Sequence, residues 1–308
     1  MEFNYSLNYD CIFNFEFAEY YVYFKILLIN KTFFSRIHDV SKLNISFRSQ
    51  QLSPFEFHIF PNLTYLELRA GWRKKYVTFD HNSHILAYEK KINKSCSLQT
   101  LKIFDGIYLQ DDTELINLKS LLCLNRTISS KIINKCSQLT SLTFIIPLIE
   151  SLKDFELLNN LKVLNVQGYF HDKKFVNYQG LNYLESLTLN FVNADNPIPI
   201  NIKYSNLSYL NISSRYTLYI NLDKCMKLKH LQLSNAYFRD INGYLKKTPS
   251  IQVLRLKEIR RYHIELSNED NYNLKHLETD NVVCFIKNRL MKLQTCEMKL
   301  GSKTGNIM

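Results

Sequence analysis

The chain has 308 residues, 46% hydrophobic and 22% charged, an ordinary composition for a soluble globular protein. Seven cysteines, at positions 11, 96, 123, 136, 225, 284 and 296, are odd in number and lack any Cys-x-x-Cys spacing, which excludes a disulfide framework and a zinc site. The formal net charge of +11 raises a polyanion as partner, yet from Asp223 onward the 16 Lys and Arg are interleaved with 9 Asp and Glu, and no block of five like charges occurs.

Residues 10–37 come first. Ile12, Phe13, Phe15, Phe17, Tyr20, Tyr21, Phe24, Ile26, Leu27, Ile29 and Phe33 are too dense and irregular for an alternating strand, and no Pro or Gly interrupts them. This texture predicts two or three packed helices over a unit spanning residues 1–38. The segment from Ile26 to Ile37 resembles the closing helix of an F-box, and Ile12-Phe13-Asn14-Phe15 resembles the start of its first helix. That resemblance implies docking of a Skp1-like adaptor through Ile12, Phe13, Phe15, Ile29, Lys31 and Phe33. The alternative is that these helices only cap the first edge of the fold that follows. The apolar run from Ile12 to Ile29 contains Glu16, Glu19 and Lys25, which argues against a spanning helix, and no secretory signal is recognisable.

From residue 39 to about 300 one phrase dominates, Leu-x-x-Leu-x-Leu preceded by an apolar residue three positions earlier. Its first leucine (position 0) falls at Leu63, Leu98, Leu118, Leu139, Leu161, Leu184, Leu207, Leu228, Ile251, Leu274 and Leu293, and an earlier copy surrounds Leu43. Apart from one long interval between Leu63 and Leu98, the copies recur every 19 to 23 residues. This spacing and pattern resemble leucine-rich repeats. The resemblance implies an α/β repeat solenoid, a curved horseshoe with a parallel concave sheet. Alternation within the phrase buries the leucines at positions 3 and 5 and exposes the residues at 2, 4 and 6. The return segments have room for a short helix, a 3₁₀ turn or an extended stretch.

Two departures stand out. Position 8, where Asn or Cys is usual, holds residues such as Gly71, Arg126, Ala236, Ile259 and Val282, so irregular turns with another source of hydrogen bonds are expected. The long interval contains Trp72-Arg73-Lys74-Lys75-Tyr76 and Asp80-His81-Asn82-Ser83-His84, either a degenerate repeat or a protruding loop. Residues 301–308 read as a flexible tail.

Catalytic motifs are absent: His81 and His84 lack metalloprotease spacing, there is no Gly-x-Ser-x-Gly, and the chain holds only 7 glycines. No enzymatic activity, metal or cofactor is expected. The exposed columns fall into three zones. Phe104, Leu122, Leu124 and Ile145 form an apolar patch that suggests a protein contact. Asn165, Gln167, Thr188, Asn190, Asn211, Ser213, Gln232 and Ser234 form an uncharged polar strip, and Arg255, Lys257, His276, Glu278, Asp280, Glu297 and Lys299 a mixed-charge end. Cys136 and Cys225 stand at the apolar position −3, where buried thiols act as small hydrophobes in a reducing compartment, so a cytoplasmic or nuclear location is expected. The combined reading is a protein-binding chain with the F-box-type receptor role as its sharpest form. A pure scaffold, similar to phosphatase-regulating leucine-rich-repeat proteins, is the alternative; neither a membrane nor nucleic acid is expected as partner.

Overall fold

The computed structural model describes residues 12–17, 42–47, 62, 64–70, 98–104, 115–124, 133, 135–146, 158–169, 181–193, 198–202, 204–214, 218–222, 224–234, 241–259, 263–267, 269–271, 273–286, 290–300 and 303–305. They belong to two compact units, Met1–Phe144 and Ile145–Met308.

The first unit holds β1 (Ile12–Phe17) and one strand per copy of the phrase: β2 (Lys42–Phe47), β3 (Tyr65–Ala70), β4 (Thr100–Ile103), β5 (Ser120–Cys123) and β6 (Ser141–Ile146), the last two residues of which fall in the second unit. Each pairs in parallel with the next, and the leucines stay in register, with Leu43 beside Leu66, Leu66 beside Leu101 and Leu101 beside Leu121. The residues at Ile12, Phe13 and Phe15, expected on a helix, lie instead in β1. The reason is legible in Ile-Phe-Asn-Phe-Glu-Phe itself, where Phe13, Phe15 and Phe17 alternate with other residues. They fall in register with Leu43, Ile45 and Phe47, so the strand extends the leucine columns by one copy. Ile29, Lys31 and Phe33 lie outside the described residues.

The long interval also resolves in part. β3 and β4 are direct partners, with Tyr65 beside Thr100 and Leu68 beside Ile103. Residues 71–97 lie outside the described residues.

The second unit runs β7 (Val163–Tyr169), β8 (Ser186–Asn193), β9 (Ile198–Asn201), β10 (Tyr209–Ser214), β11 (Leu218–Asn221), β12 (His230–Ser234), α1 (Ile241–Lys247), β13 (Val253–Lys257), β14 (His263–Leu266), β15 (His276–Asp280), β16 (Val283–Ile286), β17 (Thr295–Leu300) and β18 (Lys303–Gly305). The phrase strands β7, β8, β10, β12, β13, β15 and β17 form one parallel sheet in that order. Return segments supply two further parallel pairs, β9 with β11 and β14 with β16. Lys303–Gly305, predicted as part of a flexible tail, pairs antiparallel with β17 as β18. An added antiparallel strand covers backbone groups that an edge strand would otherwise leave open.

One local device starts the repeats. The N–H of position 0 donates to the carbonyl of position −3, as in Leu118 to Leu115 at 3.0 Å, Leu228 to Cys225 at 3.1 Å and Leu293 to Leu290 at 3.1 Å. That β-turn explains the apolar residue three before the first leucine, since it points the −3 side chain into the core. Leu115, Cys136, Leu158, Leu181, Cys225 and Leu290 are all buried there. Burial pushes the Cys136 and Cys225 thiols up to about 12, and Cys225 Sγ lies 3.5 Å from the Ile202 carbonyl as a donor. They are packing groups, inert at neutral pH.

The hydrogen bonds that an asparagine at position 8 would supply come from elsewhere. Ile259 and Val282, both at that position, are buried apolar residues. The preceding residues, Glu258 and Asn281, take positive φ of 51° and 54°, and their N–H groups donate at 2.7 Å to the Asp280 and Lys299 carbonyls of the following repeat. A polar ladder runs instead along the opposite, N-terminal ends of the strands. Asn206 Nδ2 donates to the Asn182 carbonyl and Asn273 Nδ2 to the Pro249 carbonyl, each at 2.9 Å, while Ser250 Oγ donates to the Leu228 carbonyl at 2.8 Å. Position −1 is therefore the asparagine position of this chain, also held by Asn62, Asn117 and Asn160.

Thr279 occupies position 5, a leucine site between Leu256 and Met298 in register. It is 1% exposed and its hydroxyl has no hydrogen-bond partner. Thr279→Val keeps the shape and removes the orphaned hydroxyl, so it is expected to raise stability by about 1 kcal/mol, read as a higher urea midpoint with unchanged slope.

Candidate partner-binding face

The alternation predicted for the phrase strands is present in both units. In β4, β5, β10 and β15 the residues at positions 3 and 5 are buried while those at 2 and 4 reach solvent. Positions 2, 4 and 6 therefore share one open face, and parallel pairing at about 4.8 Å stacks them into columns.

On the first unit, Phe104, Leu122 and Leu124 lie on this face and are half-buried. Leu122 stands beside Lys102 on one side and Thr143 on the other, so the apolar stretch is flanked by polar neighbours. Ile145, in the second unit, is also half-buried. Within the first unit, Lys102 beside Leu122 belongs to a cluster that sequence reading did not single out. Glu67 is 7% exposed although it projects from the open face. Tyr65 Oη donates to its Oε2 at 2.6 Å, and Lys102 Nζ lies 3.7 Å from the same oxygen and 5.2 Å from the Tyr65 ring centre. Burial, then the hydrogen bond to Glu67, pushes the Tyr65 hydroxyl above its ordinary range; its own interaction with Tyr65 is the main cause raising Lys102. The signal was available as opposite signs at position 4 of successive copies, but the long interval between them hid their adjacency.

The second unit assembles the polar strip. Asn165, Thr188, Asn211 and Gln232 are side by side at position 4, and Gln167, Asn190, Ser213 and Ser234 at position 6. Four strands give a row about 14 Å across, and the two rows are about 7 Å apart. None of these side chains is buried as a whole, yet the Asn211 carbonyl oxygen is covered and has no hydrogen-bond partner.

The columns continue into the mixed-charge end on β13, β15 and β17. A cavity of about 240 Å³ opens there among Val253, Arg255, His276, Glu278, Thr295 and Glu297. Glu278 is its hub: Oε2 lies 3.1 Å from Arg255 Nε and Oε1 lies 2.9 Å from Lys257 Nζ. The Lys257 hydrogen bond, aided by the charges of Lys257, Arg255 and Lys299 and opposed by partial burial, holds the Glu278 carboxyl below its usual range. Its contribution to stability is therefore complete above the ordinary glutamate range and fades as pH falls through the lowered folded value. Glu278→Gln is expected to destabilise at pH 7 and to differ less from the parent near pH 3, a convergence measurable by urea denaturation at both pH values.

His276 Nδ1 is 2.7 Å from Thr295 Oγ1, and His230 packs edge-on against Tyr209 at 6.1 Å. Partial burial, followed by the charges of Arg255, Lys229 and His276, lowers the His230 imidazole below its ordinary value, so it is neutral at pH 7. No three His, Cys, Asp or Glu side chains gather into a metal-binding group among the described residues.

No protein-family model and no curated protein matches this sequence. Solved structures do. An internalin from Listeria monocytogenes is similar with a TM-score of 0.50 and 15% identity, covering 88% of this chain and 89% of that one. A leucine-rich-repeat protein from Leptospira interrogans has a TM-score of 0.45 and 17% identity, covering 89% and 81%. One strand per leucine phrase, parallel pairing in register, the turn before position 0 and the likeness to the internalin together establish a leucine-rich-repeat solenoid fold.

Proposed function

We propose that this chain is a non-catalytic protein-recognition module that takes an extended segment of its partner across the strand face of the second unit. Leucine-rich-repeat folds generally serve protein binding, and the observation that carries the reading here is the strip of eight uncharged amide and hydroxyl side chains in register. Such groups both donate and accept, so they can match a peptide backbone without the large desolvation cost of charges. Arg255, Lys257 and Glu278 then stand at one end to select a charged side chain of the same segment.

Peptides selected from a displayed library against the whole chain test this. Asn190→Arg and Gln232→Arg, both on the open face, are expected to weaken the selected peptides roughly tenfold or more while leaving the melting temperature within a few degrees. Selected peptides that bind these variants as tightly as the parent would overturn the reading.

The receptor role in a Skp1-cullin-type ubiquitin ligase is the finer form of this function, and a scaffold or phosphatase-regulating role is its rival. An adaptor-docking unit needs helices, and Ile12, Phe13 and Phe15 stand in a strand. That observation favours the plain recognition module, with the partner held on the strand face alone.

A further inference from the structure

The cavity on β13, β15 and β17 lies between two columns of the open face. Val253, His276 and Thr295 line it from position 2, and Arg255, Glu278 and Glu297 from position 4, each trio side by side in register. Its volume of about 240 Å³ exceeds the roughly 150 Å³ of a cavity that holds a benzene ring. One aromatic ring therefore fits, with space for a substituent. The cavity also continues the polar strip, since Gln232, last in the position-4 row, stands beside Arg255.

Charge decides what can enter. Both Glu278 oxygens are engaged by cations, Oε2 at 3.1 Å from Arg255 Nε and Oε1 at 2.9 Å from Lys257 Nζ. An incoming ammonium would meet Arg255, and an incoming carboxylate would meet Glu278 and Glu297. The lining thus disfavours a full charge of either sign, and the charged side chain selected at this end belongs outside the cavity, toward Lys257 at position 6. A ring is neutral yet carries both signs, a negative face and a positive edge. The Arg255 bond to Glu278 lies in the plane of the guanidinium and leaves the faces of that plane, on a side chain 49% exposed, for a ring to stack on. His276 Nδ1, 2.7 Å from Thr295 Oγ1, fixes a second ring beside Val253. The exposed Glu297 carboxylate is an acceptor for a hydroxyl.

We infer that this cavity takes the phenol ring of a tyrosine in the bound segment, its face on the Arg255 guanidinium and its hydroxyl donating to Glu297. β13 and β17 are two strand spacings apart, about 10 Å, close to the length of a phenol plus one hydrogen bond. This deepens the proposed function and rests on it: a segment lying along the polar strip gains one aromatic anchor where the strip ends.

The test titrates the whole chain with p-cresol, the tyrosine side-chain analogue, and separately with toluene, n-butylammonium and acetate, followed through the methyl resonances of Val253 and Thr295. p-Cresol is expected to shift both, toluene to shift them less at equal concentration, and the two ions to leave them in place. Val253→Phe, which fills the cavity, should abolish the p-cresol shift at Thr295. Because Val253 is half-buried, Glu297→Ala, on an exposed residue, is the companion variant. It should erase the preference for p-cresol over toluene with an unchanged melting curve. In peptides selected against the whole chain, Tyr→Ala should weaken binding roughly tenfold or more and lose that effect on Val253→Phe in a double-mutant cycle. No p-cresol shift, equal shifts from p-cresol and toluene, a larger shift from either ion, or a preference that survives Glu297→Ala would overturn the inference. Each would leave the sensitivity of selected peptides to Asn190→Arg, and with it the proposed function, in place. A p-cresol shift with no peptide sensitive to Asn190→Arg or Gln232→Arg would instead overturn the strip and keep the cavity as an aromatic site.

Discussion

Leu231→Ala is expected to cost about 2–5 kcal/mol of stability, while Gln232→Ala next to it changes stability by less than about 0.5 kcal/mol. Leu231 is 1% exposed and sits in register between Leu210 and Leu254, which are equally buried. Truncation removes apolar surface and leaves a cavity, and the stacked neighbours are tied by strand pairing on both sides and cannot close it. In a solenoid each copy is stabilised mainly by the copies flanking it, so a gap at Leu231 also weakens the coupling across it. Urea denaturation should therefore show a lowered midpoint and, where the coupling fails, a broader transition. Gln232 projects from the opposite face, and its loss should leave the curve in place. A small effect at Leu231 would mean that the leucines do not form the continuous column that the register describes.

The second large effect runs against the repeat pattern. Asn271 occupies position −3, where most copies carry Leu or Cys, so the pattern alone would make Asn271→Leu an improvement. It is expected instead to destabilise by about 2 kcal/mol. Asn271 is 6% exposed and fully used: Oδ1 accepts from the Ser267 N–H at 3.3 Å, and Nδ2 donates to the Leu245 carbonyl at 3.3 Å. Its own N–H donates to the Ser267 carbonyl at 2.9 Å, and the Asp270 N–H donates to Ser267 Oγ at 3.2 Å, so the side chain fixes a whole local turn. Leucine would leave the buried Ser267 N–H unpartnered, at about 1–3 kcal/mol, and reduce the Leu245 carbonyl to its bond from the Thr248 N–H at 3.4 Å, offset in part by the apolar surface that it buries. Asn271→Ala should also destabilise, without the compensating burial. A thermal melt of Asn271→Leu above that of the parent would refute the account.

These two residues mark how far the sequence is legible. Leu231 follows from periodicity because burial of alternate leucines depends on backbone pleat, which any parallel strand imposes. The columns at positions 2, 4 and 6 follow for the same reason, and so does the polar strip from Asn165 to Ser234. Asn271 does not follow, because the groups that satisfy it, Ser267 and the Leu245 carbonyl, come from a return segment with no fixed length or pattern. The strand at Ile12–Phe17 was hidden by the aromatic density around it, which resembles a packed helical unit. Only the neighbouring strand reveals that Phe13, Phe15 and Phe17 continue a leucine column.

From the chain alone came the repeat, its inward leucines, its parallel strands and the buried thiols at position −3. Each rests on local spacing, and local spacing survives whatever the return segments do. Tertiary packing decided the rest: the hydrogen bonds that replace an asparagine at position 8, the pairing of Glu67 with Lys102 across a long interval, and the meeting of Arg255 and Lys257 with Glu278. The physical reason is common to all three. A solenoid places residues about 22 apart within about 5 Å of one another, so electrostatics and hydrogen bonding act between copies. Charges that are scattered along the chain meet once it is wound, as Arg255 and Lys257 meet Glu278 on the strand face.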